Sequence, residues 1–338
     1  MIAAGALPRR VLIVLHGAIG DVTRALPLLC RLRRGLPPDA EIFWAVEPAA
    51  APLVHGHRAL TRTVVFDRPR GLGAFLHFLR EIRTLRPDVT LDLQRHFKSG
   101  IVSRVSGAPR RIGFHRRNSR EGNHFFQTEH LEEMPHYSSK LAQFLRFADR
   151  IGVPPAPVEF GLELTADENA EVESLLAGVS RPFAAFPVGS TSESRLWFPA
   201  ETARVMEQLA QRSLVPVLVG GPGEEGYAAA IVRESRVAAH DLVGRTTLRQ
   251  LAGVLARARV CVAPDSGPMH IAAAMGTPVV SLWGATSARR SAPYGSEHLV
   301  IEGQAPCMPC YRKTCPIGRE CMKHISADDV LLAVDRAL

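Results

Sequence analysis

Short apolar runs and longer segments with helical spacing alternate along the first half of the chain. The runs RVLIVLH, EIFWAVE, TRTVVFD and PDVTLDL are rich in apolar and β-branched residues, which is typical of buried strands. Between them, residues 21–34 and the segment GLGAFLHFLREIRTL carry apolar side chains every three or four positions, as amphipathic helices do. We therefore predict a parallel sheet with helices on both faces in this half.

The alternation restarts after IGVPPAPVEFGLELT, a proline-rich, extended segment near the middle of the chain that is typical of an interdomain linker. Thr165 and Glu168 then form a capping-box pattern that opens a helix through Leu176. Five further strand-like runs alternate with helices, and residues 326–338 form a last amphipathic helix. The pattern predicts two α/β domains, over residues 1–158 and 159–325. The last helix either ends the second domain or packs back on the first.

Length and composition narrow the class of protein. A chain of 338 residues exceeds one ordinary core, so two domains are expected. It is 46% apolar and 22% charged, as soluble globular proteins are, and no apolar run is long enough to span a bilayer. The N-terminus has no apolar segment of the signal-peptide kind, so we expect a cytoplasmic protein. The net charge of +8 does not distinguish nucleic acid, an anionic membrane and a small anionic substrate as the partner.

A candidate catalytic acid follows the first strand. The strand ends at His16, Gly17 to Gly20 form a tight turn, and Asp21 opens the next helix. In doubly wound sheets, ligands bind beyond the carboxyl ends of the strands, where this turn lies. Asp21 is either an ordinary N-cap or a carboxylate that acts as a general base. The G-x-x-G-D pattern is not a G-x-G-x-x-G fingerprint and no G-x-x-x-x-G-K-[ST] occurs, which argues against dinucleotide and P-loop sites.

The stretch VAPDSGPMHIAAAMG predicts an anion site at the start of a helix. Ser266 and Gly267 lie where free backbone N–H groups and the helix dipole favour negative charge. Gly267 would let a phosphate approach the backbone closely. His270, on the same helix, is either a buried core histidine or part of the site.

Two further strand ends carry polar residues. Gly189, Ser190 and Thr191 follow one predicted strand, with Arg195 a few residues on, and small hydroxyls with one cation suit a diphosphate. The glycine-rich turn LVGGPGEEGY follows the next strand and places Glu224 where it could accept hydrogen bonds from ribose hydroxyls. Taken singly, each stretch could equally be a solvated loop.

Together these motifs resemble glycosyltransferase family 9, the lipopolysaccharide heptosyltransferases. The resemblance rests on VLIVLHGAIGDVTRALPLL, FWAVEP, LDLQRHFKSG, GSTSESRLWFP, GGPGEEGYA and DSGPMHIAAAMGTPVVSLWGATS, in this order over most of the chain. It implies the GT-B architecture, in which two Rossmann-like, doubly wound domains face each other across a central cleft. It also implies transfer of heptose from ADP-heptose to an inner-core acceptor of the Kdo-lipid A type, with inversion and without a catalytic metal or other cofactor.

The resemblance assigns roles to the motif residues. Asp21 matches the family's catalytic base. Arg195 stands where many members have a lysine that contacts the donor diphosphate, and it keeps the charge of that lysine but not its shape. The other donor-binding residues that it implies are the polar pair Ser190 and Thr191, the ribose acid Glu224, and the phosphate-motif residues Asp265, Ser266, Gly267 and His270.

A basic window lies in the half that resembles the acceptor domain. Between Arg95 and Arg120 there is no acid, and the eight basic residues are Arg95, Lys98, Arg104, Arg110, Arg111, Arg116, Arg117 and Arg120. This window is either a solvated face or the binding surface for an anionic acceptor at an anionic membrane, because no nucleic-acid module is present. We therefore expect a peripheral protein of the cytoplasmic side of the inner membrane, with an acceptor site formed by Lys98, Arg116, Arg117 and Arg120.

The C-terminal part contains four closely spaced cysteines, Cys307, Cys310, Cys315 and Cys321. In a cytosolic chain such a cluster suggests a structural zinc ion before disulfides, but C-x2-C-x4-C-x5-C matches neither a zinc ribbon nor a ferredoxin. Metal binding here stays open.

Two alternatives to ADP-heptose transfer remain. One is the same chemistry with another nucleotide sugar or acceptor glycan, and the other is a non-catalytic protein that binds a nucleotide sugar or glycolipid. Asp21 discriminates between enzyme and binder, because only a transferase needs a carboxylate there.

Overall fold

The computed structural model describes residues 7–67 and 71–338. Its internal contacts divide the chain into two units, Met1–Glu163 and Leu164–Leu338. The division falls inside the proline-rich segment, a few residues beyond the boundary predicted from the sequence. Residues 1–6, on which the expectation for the N-terminus partly rests, lie outside the described residues. Within the described ranges, no helix is both long and apolar enough to cross a membrane.

The first unit alternates strands and helices along its described residues. Its elements are β1 (Arg10–Val14), α1 (Ile19–Gly35), β2 (Glu41–Val46), α2 (Ala51–Val54), β3 (Arg62–Val65), α3 (Gly71–Thr84), β4 (Val89–Asp92), α4 (Phe97–Val105), β5 (Arg110–Gly113), β6 (Glu129–His130) and α5 (Lys140–Arg150). The strands form a parallel sheet in the order β3-β2-β1-β4-β5-β6. Four of the five residues of β1 are buried, as expected for a central strand covered by helices on both faces.

The second unit repeats this organisation. Its elements are α6 (Ala166–Leu175), β7 (Phe183–Pro187), α7 (Pro199–Gln211), β8 (Val215–Val219), α8 (Glu225–Glu234), β9 (His240–Asp241), α9 (Leu248–Arg257), β10 (Val260–Pro264), α10 (Gly267–Ala274), β11 (Val279–Trp283), α11 (Ala288–Ser291), β12 (Val300–Glu302), α12 (Glu320–Lys323) and α13 (Ala327–Ala337). The parallel sheet has the order β12-β11-β10-β7-β8-β9. Thr165 and Glu168 form the predicted capping box at the start of α6.

Both sheets reverse their strand order at the same place, between the first and the fourth strand of the unit. Such a switch point opens a crevice for a ligand at the carboxyl edge of the sheet. In each unit, a hydrogen bond joins the two loops that flank the switch point. The backbone N–H of His16 donates to Gln94 Oε1 at 3.0 Å, and Ser190 Oγ donates to the carbonyl oxygen of Asp265 at 3.1 Å.

The α/β prediction is confirmed, but the sequence pattern did not predict α4, β5, β6 and α5. Two of these elements, β5 and β6, are only four and two residues long. Helix α4 contains Gly100, whose α-carbon lies against the ring of Phe126, so its stability depends on a contact that the local sequence does not show. The last helix, α13, buries Val330 and Val334 in the core of the second unit.

Candidate active site

The carboxylate of Asp21 lies near the start of α1, at the carboxyl edge of the first sheet. Ala18 occupies the N-cap position, so Asp21 does not cap the helix. Its Oδ1 accepts hydrogen bonds from Lys140 Nζ, at 2.6 Å, and from the guanidinium of Arg24. Its side chain is 23% exposed. The N-cap interpretation is therefore wrong, and the general-base interpretation stays a prediction.

Two cations determine the ionisation of Asp21. Burial by itself raises the pKa of this carboxyl, but the charges and hydrogen bonds of Lys140 and Arg24 outweigh burial and lower the pKa well below its usual range. Lys140 and Arg24 therefore favour the ionised form of Asp21. Lys140 is the first residue of α5, which packs against α1. The sequence analysis missed Lys140 because 119 residues separate it from Asp21.

The loop after β4 is held by a buried carboxylate. Asp92, the last residue of β4, is fully buried and accepts hydrogen bonds from Ser99 Oγ, Asn123 Nδ2 and Gln127 Nε2. Burial raises its pKa, although the hydrogen bonds from Asn123 and Ser99 act in the opposite direction. The network fixes the backbone on either side of Gln94, which in turn bonds to the loop that leads to Asp21.

The second candidate half-site surrounds the start of α10. Ser266 is the N-cap residue of this helix, and its hydroxyl is buried without a hydrogen-bond partner among the described residues. Buried hydroxyls are normally paired, so this one indicates a polar ligand or solvent. The first turn of α10 adds free backbone N–H groups and the positive end of its dipole. His270 is also buried.

Arg195 joins this half-site through Asp265. Its guanidinium lies 3.3 Å from Asp265 Oδ2, and the same oxygen accepts a hydrogen bond of 2.7 Å from Thr286 Oγ1. Arg195 Nε is buried and has no hydrogen-bond partner among the described residues. The carboxylate of Asp265 therefore orients Arg195, while Thr191 at the same strand end is exposed. Thr286 is a member of this group that the sequence analysis missed.

Glu224 lies between the ends of β7 and β8. Its Oε2 accepts a hydrogen bond of 2.8 Å from the backbone N–H of Gly221. A methyl group on Gly189 would come within 1.5 Å of Glu224 Oε1, so only glycine at position 189 leaves room for the carboxylate. Burial is the main cause that raises the pKa of Glu224.

The basic window divides into structural and exposed residues. Arg110 forms an ion pair with Glu129 at 2.6 Å, and Arg95 lies 3.7 Å from the centre of the Phe114 ring. The candidate acceptor residues Lys98, Arg116, Arg117 and Arg120 are all exposed, and Arg117 forms an ion pair with Glu133 at 3.2 Å.

Comparison with known proteins identifies the family. The family model described as "Glycosyltransferase family 9 (heptosyltransferase)" matches residues 75–320, more than half of the chain. The chain belongs to glycosyltransferase family 9. It is therefore a glycosyltransferase, and the family resemblance found in the sequence is confirmed. The matched residues include the second half-site but not Asp21.

Curated family 9 relatives match along most of their length. The chain is 26% identical over 298 residues to the lipopolysaccharide core heptosyltransferase OpsX of Haemophilus influenzae, which covers 87% of this chain and 84% of that protein. It is 27% identical over 322 residues to lipopolysaccharide heptosyltransferase 1 of Pseudomonas aeruginosa, covering 90% and 87%.

Solved structures share the fold. The family 9 glycosyltransferase of Veillonella parvula superposes with a TM-score of 0.82 at 18% identity and 97% coverage of both chains. ADP-heptose heptosyltransferase II of Escherichia coli gives 0.76 at 20% identity, with 97% and 98% coverage. Escherichia coli WaaC with ADP-2-deoxy-2-fluoro heptose gives 0.70 at 22% identity, with 97% and 100% coverage. The predicted GT-B fold with two Rossmann-like domains is thereby confirmed.

In this family 9 enzyme, the segment that carries the four cysteines forms hydrogen bonds with the two neighbours of Arg195. The backbone N–H of Ser194 donates to the carbonyl oxygen of Lys313 at 3.1 Å, and Arg319 donates to that of Leu196 at 2.9 Å. Cys321 is buried, which raises the pKa of its thiol, and Cys307 is exposed. Across the ranges that the structure describes, no group of three or more His, Cys, Asp or Glu residues is placed to hold a metal ion.

Proposed function

We propose that the protein transfers heptose from ADP-heptose to an inner-core lipopolysaccharide acceptor of the Kdo-lipid A type. The observation that carries this proposal is the pair of buried, unpartnered polar atoms beside α10, Ser266 Oγ and Arg195 Nε. Both can donate hydrogen bonds, and both lie beside a helix start that favours an anion. A nucleoside diphosphate supplies the missing acceptors. The names of the two curated relatives and of the WaaC complex support a sugar donor that consists of heptose and ADP.

The donor site follows from the placement of these groups. The diphosphate would bind at Ser266 and Gly267, with Arg195 and Ser190 beside it and Glu224 accepting from the ribose hydroxyls. As the bond to the sugar breaks, negative charge develops on ADP, and the α10 start and Arg195 stabilise it. These residues fit a reaction in which protein groups, rather than a metal ion, neutralise the leaving group.

The acceptor is activated by Asp21. In the proposed reaction, its carboxylate takes the proton of the acceptor hydroxyl while that oxygen attacks the anomeric carbon from the face opposite ADP, which inverts the configuration. A carboxylate of such low pKa is a weak base. We therefore propose that Lys140 and Arg24 hold Asp21 ionised and in place until the acceptor binds, and that an anionic group of the acceptor then draws Lys140 away. Losing one cation makes Asp21 more basic.

The acceptor itself would bind through exposed cations. Lys98, Arg116, Arg117 and Arg120 suit the carboxylates and phosphates of a Kdo-lipid A type acceptor. Such an acceptor is anchored in a bilayer, so the proposal includes a peripheral location at the cytoplasmic face of the inner membrane.

The alternatives differ in chemistry. Another nucleotide sugar or acceptor glycan would use the same residues, and testing nucleotide sugars by thermal shift and then by product mass distinguishes them. A non-catalytic binder would keep the second half-site but would gain nothing from a carboxylate between two cations at position 21.

The decisive experiment replaces the proposed base. In Asp21→Asn, we expect ADP to bind with unchanged affinity by calorimetry while turnover of ADP-heptose falls by about 10²- to 10⁴-fold. Asp328→Asn, an exposed acid on α13, serves as the matched control and should keep full turnover. Wild-type turnover in Asp21→Asn would refute the assignment of the base.

A further inference from the structure

The loop that carries Arg195 has little regular secondary structure of its own. Residues 193–198, which we call the Arg195 loop, lie between β7 and α7 and begin with the short 3₁₀ turn Glu193–Arg195. A turn of this length contributes little rigidity. The direction of the Arg195 side chain therefore depends on contacts between this loop and other parts of the second unit.

Residues of the Arg195 loop contact one later part of the chain, residues 311–325, which we call the bracing segment. The backbone N–H of Ser194 donates to the carbonyl oxygen of Lys313 at 3.1 Å. Trp197 is buried, and its Nε1 donates to the carbonyl oxygen of Ile325 at 3.1 Å. The bracing segment therefore holds the loop on both sides of its arginine.

Arg319 of the bracing segment contacts three further residues of this loop. Its guanidinium donates to the carbonyl oxygen of Leu196 at 2.9 Å, and its Nε lies 3.7 Å from Glu193 Oε1. The guanidinium carbon lies 4.5 Å from the centre of the Phe198 ring, which is a cation–π contact. One side chain therefore spans the Arg195 loop from its first residue to its last.

The bracing segment is itself anchored in the second unit. Cys321, Met322 and Ile325 are buried members of the hydrophobic core of that unit. A methyl group on Gly303 would lie 1.8 Å from the carbonyl oxygen of Cys321, so the two backbones are in direct contact. Because close-packed cores resist displacement, Arg319 acts from a fixed base.

The same segment holds the loop that leads to the partner of Arg195. The backbone N–H of Tyr311 donates to the carbonyl oxygen of Ala285 at 2.8 Å, and the next residue, Thr286, donates to Asp265 Oδ2 at 2.7 Å. That carboxylate oxygen lies 3.3 Å from the guanidinium of Arg195. Both members of the Arg195–Asp265 pair are therefore connected to the bracing segment.

The backbone at Arg319 favours a different residue type. Its φ is 59°, which lies in the left-handed region that glycine adopts most readily. Non-glycine residues keep this conformation where the surrounding structure enforces it, and such positions concentrate at functional sites. The contacts of the side chain with the Arg195 loop account for an arginine at this position.

We propose that Arg319 is a positioning residue for Arg195 in the donor site. By holding Glu193, Leu196 and Phe198, it keeps the Arg195 guanidinium beside Asp265 before the donor binds. Binding of the diphosphate then does not have to immobilise a mobile arginine, and the affinity is higher for that reason. The inference rests on the proposed function, because it takes a nucleoside diphosphate as the ligand of Arg195.

The experiment measures ADP binding by calorimetry and needs neither the sugar nor the acceptor. Arg319→Met keeps much of the side-chain length but removes the charge and every side-chain N–H, so the Kd for ADP should rise about three- to tenfold. Arg319→Gly suits the left-handed backbone and should give the same rise, so it takes the place of Arg319→Met if that variant does not fold. Arg312→Met is the matched control, because Arg312 has an exposed side chain in the same segment, and it should bind ADP as the wild type does.

A double-mutant cycle separates positioning from a purely structural role. In Arg195→Ala there is no guanidinium left to position, so adding Arg319→Met should change the Kd by less than about twofold. The decrease in the free energy of unfolding caused by Arg319→Met should be the same with and without Arg195, as measured by denaturant titration. A purely structural role of Arg319 would instead raise the Kd by the same factor in both backgrounds.

Three results would overturn the positioning role alone. They are an unchanged Kd in the Arg319 variants, an equal rise in Kd with and without Arg195, and an equal rise in the Arg312→Met control. An unchanged Kd in Arg195→Ala itself would overturn the proposed donor site as well. Failure of the positioning role is therefore distinguishable from failure of the proposed function.

Discussion

The carboxyl edges of the two sheets have the same topology and opposite electrostatics. At the first edge, the Asp21 carboxylate is satisfied within the protein by Lys140 and Arg24. At the second edge, Ser266 Oγ and Arg195 Nε are buried and lack an acceptor among the described residues. The first edge also holds a buried polar atom without a partner among the described residues, His16 Nε2. We therefore limit the contrast to Asp21, whose carboxylate is held before any ligand binds, and to Ser266 and Arg195, for which we propose an anion as the missing acceptor.

The largest effect on donor binding should come from removing the cation of the second edge. Arg195→Ala deletes charge-assisted hydrogen bonds to the diphosphate, so the Kd for ADP should rise on the order of ten- to hundredfold by calorimetry. Arg195→Lys should recover part of the loss, because it restores the charge. Arg204→Ala, which breaks an exposed ion pair with Asp328 in the same unit, is the control. An unchanged Kd in Arg195→Ala would show that the diphosphate binds elsewhere.

The second prediction concerns the space that Glu224 needs. Gly189→Ala places a methyl group on the carboxylate, so the free energy of unfolding should fall by about 1–3 kcal/mol and ADP should bind more weakly. Adding Glu224→Ala removes the overlap and should restore stability but not ADP affinity. Gly226→Ala, in open space on α8, should instead stabilise the protein by about 0.5–1 kcal/mol in denaturant titrations. If Gly189→Ala behaved like this control, Glu224 would not occupy its described position.

The third prediction tests the cations of the first edge through pH. Lys140 lowers the pKa of Asp21, so Lys140→Met should raise that pKa towards its ordinary value of about 4. A base must be ionised, so the acid limb of the kcat/KM profile should move to higher pH. The low pKa of Asp21 also stabilises the folded state at pH values above the pKa that Asp21 has in the unfolded chain, and this stabilisation is lost as the pH falls. It should be smaller in Lys140→Met. Lys140→Arg keeps the charge and should restore the wild-type limb. An acid limb that does not move in Lys140→Met would contradict the proposed role.

The smallest effect is expected from the exposed basic residues. Arg116→Glu with Arg117→Glu should raise the KM for the acceptor a few-fold, since exposed ion pairs contribute on the order of 0.5–1 kcal/mol each, and should leave the donor KM unchanged. Initial rates with each substrate varied in turn make the distinction. If the variant and the wild type have the same KM for the acceptor, the basic window is an ordinary solvated face.

Local sequence indicates where the candidate donor-binding residues of the second unit lie. Ser266, Gly267 and Arg195 lie close to the ends of their strands, so strand–turn–helix patterns locate them. Lys140 and Thr286 could not be found in this way, because each reaches its carboxylate from another element.

The sequence by itself determined the alternation of strands and helices, the division into two α/β units, the family, and which strand ends carry chemical groups. These features depend on hydrophobic periodicity and on turn residues that act over a few positions. Tertiary structure alone decided that Asp21 is held by two cations, that Asp265 orients Arg195, and that α13 belongs to the core of the second unit. Most of these outcomes depend on contacts between residues that are distant in the chain, which no local pattern encodes; the exception is the Asp21–Arg24 pair, three positions apart on α1.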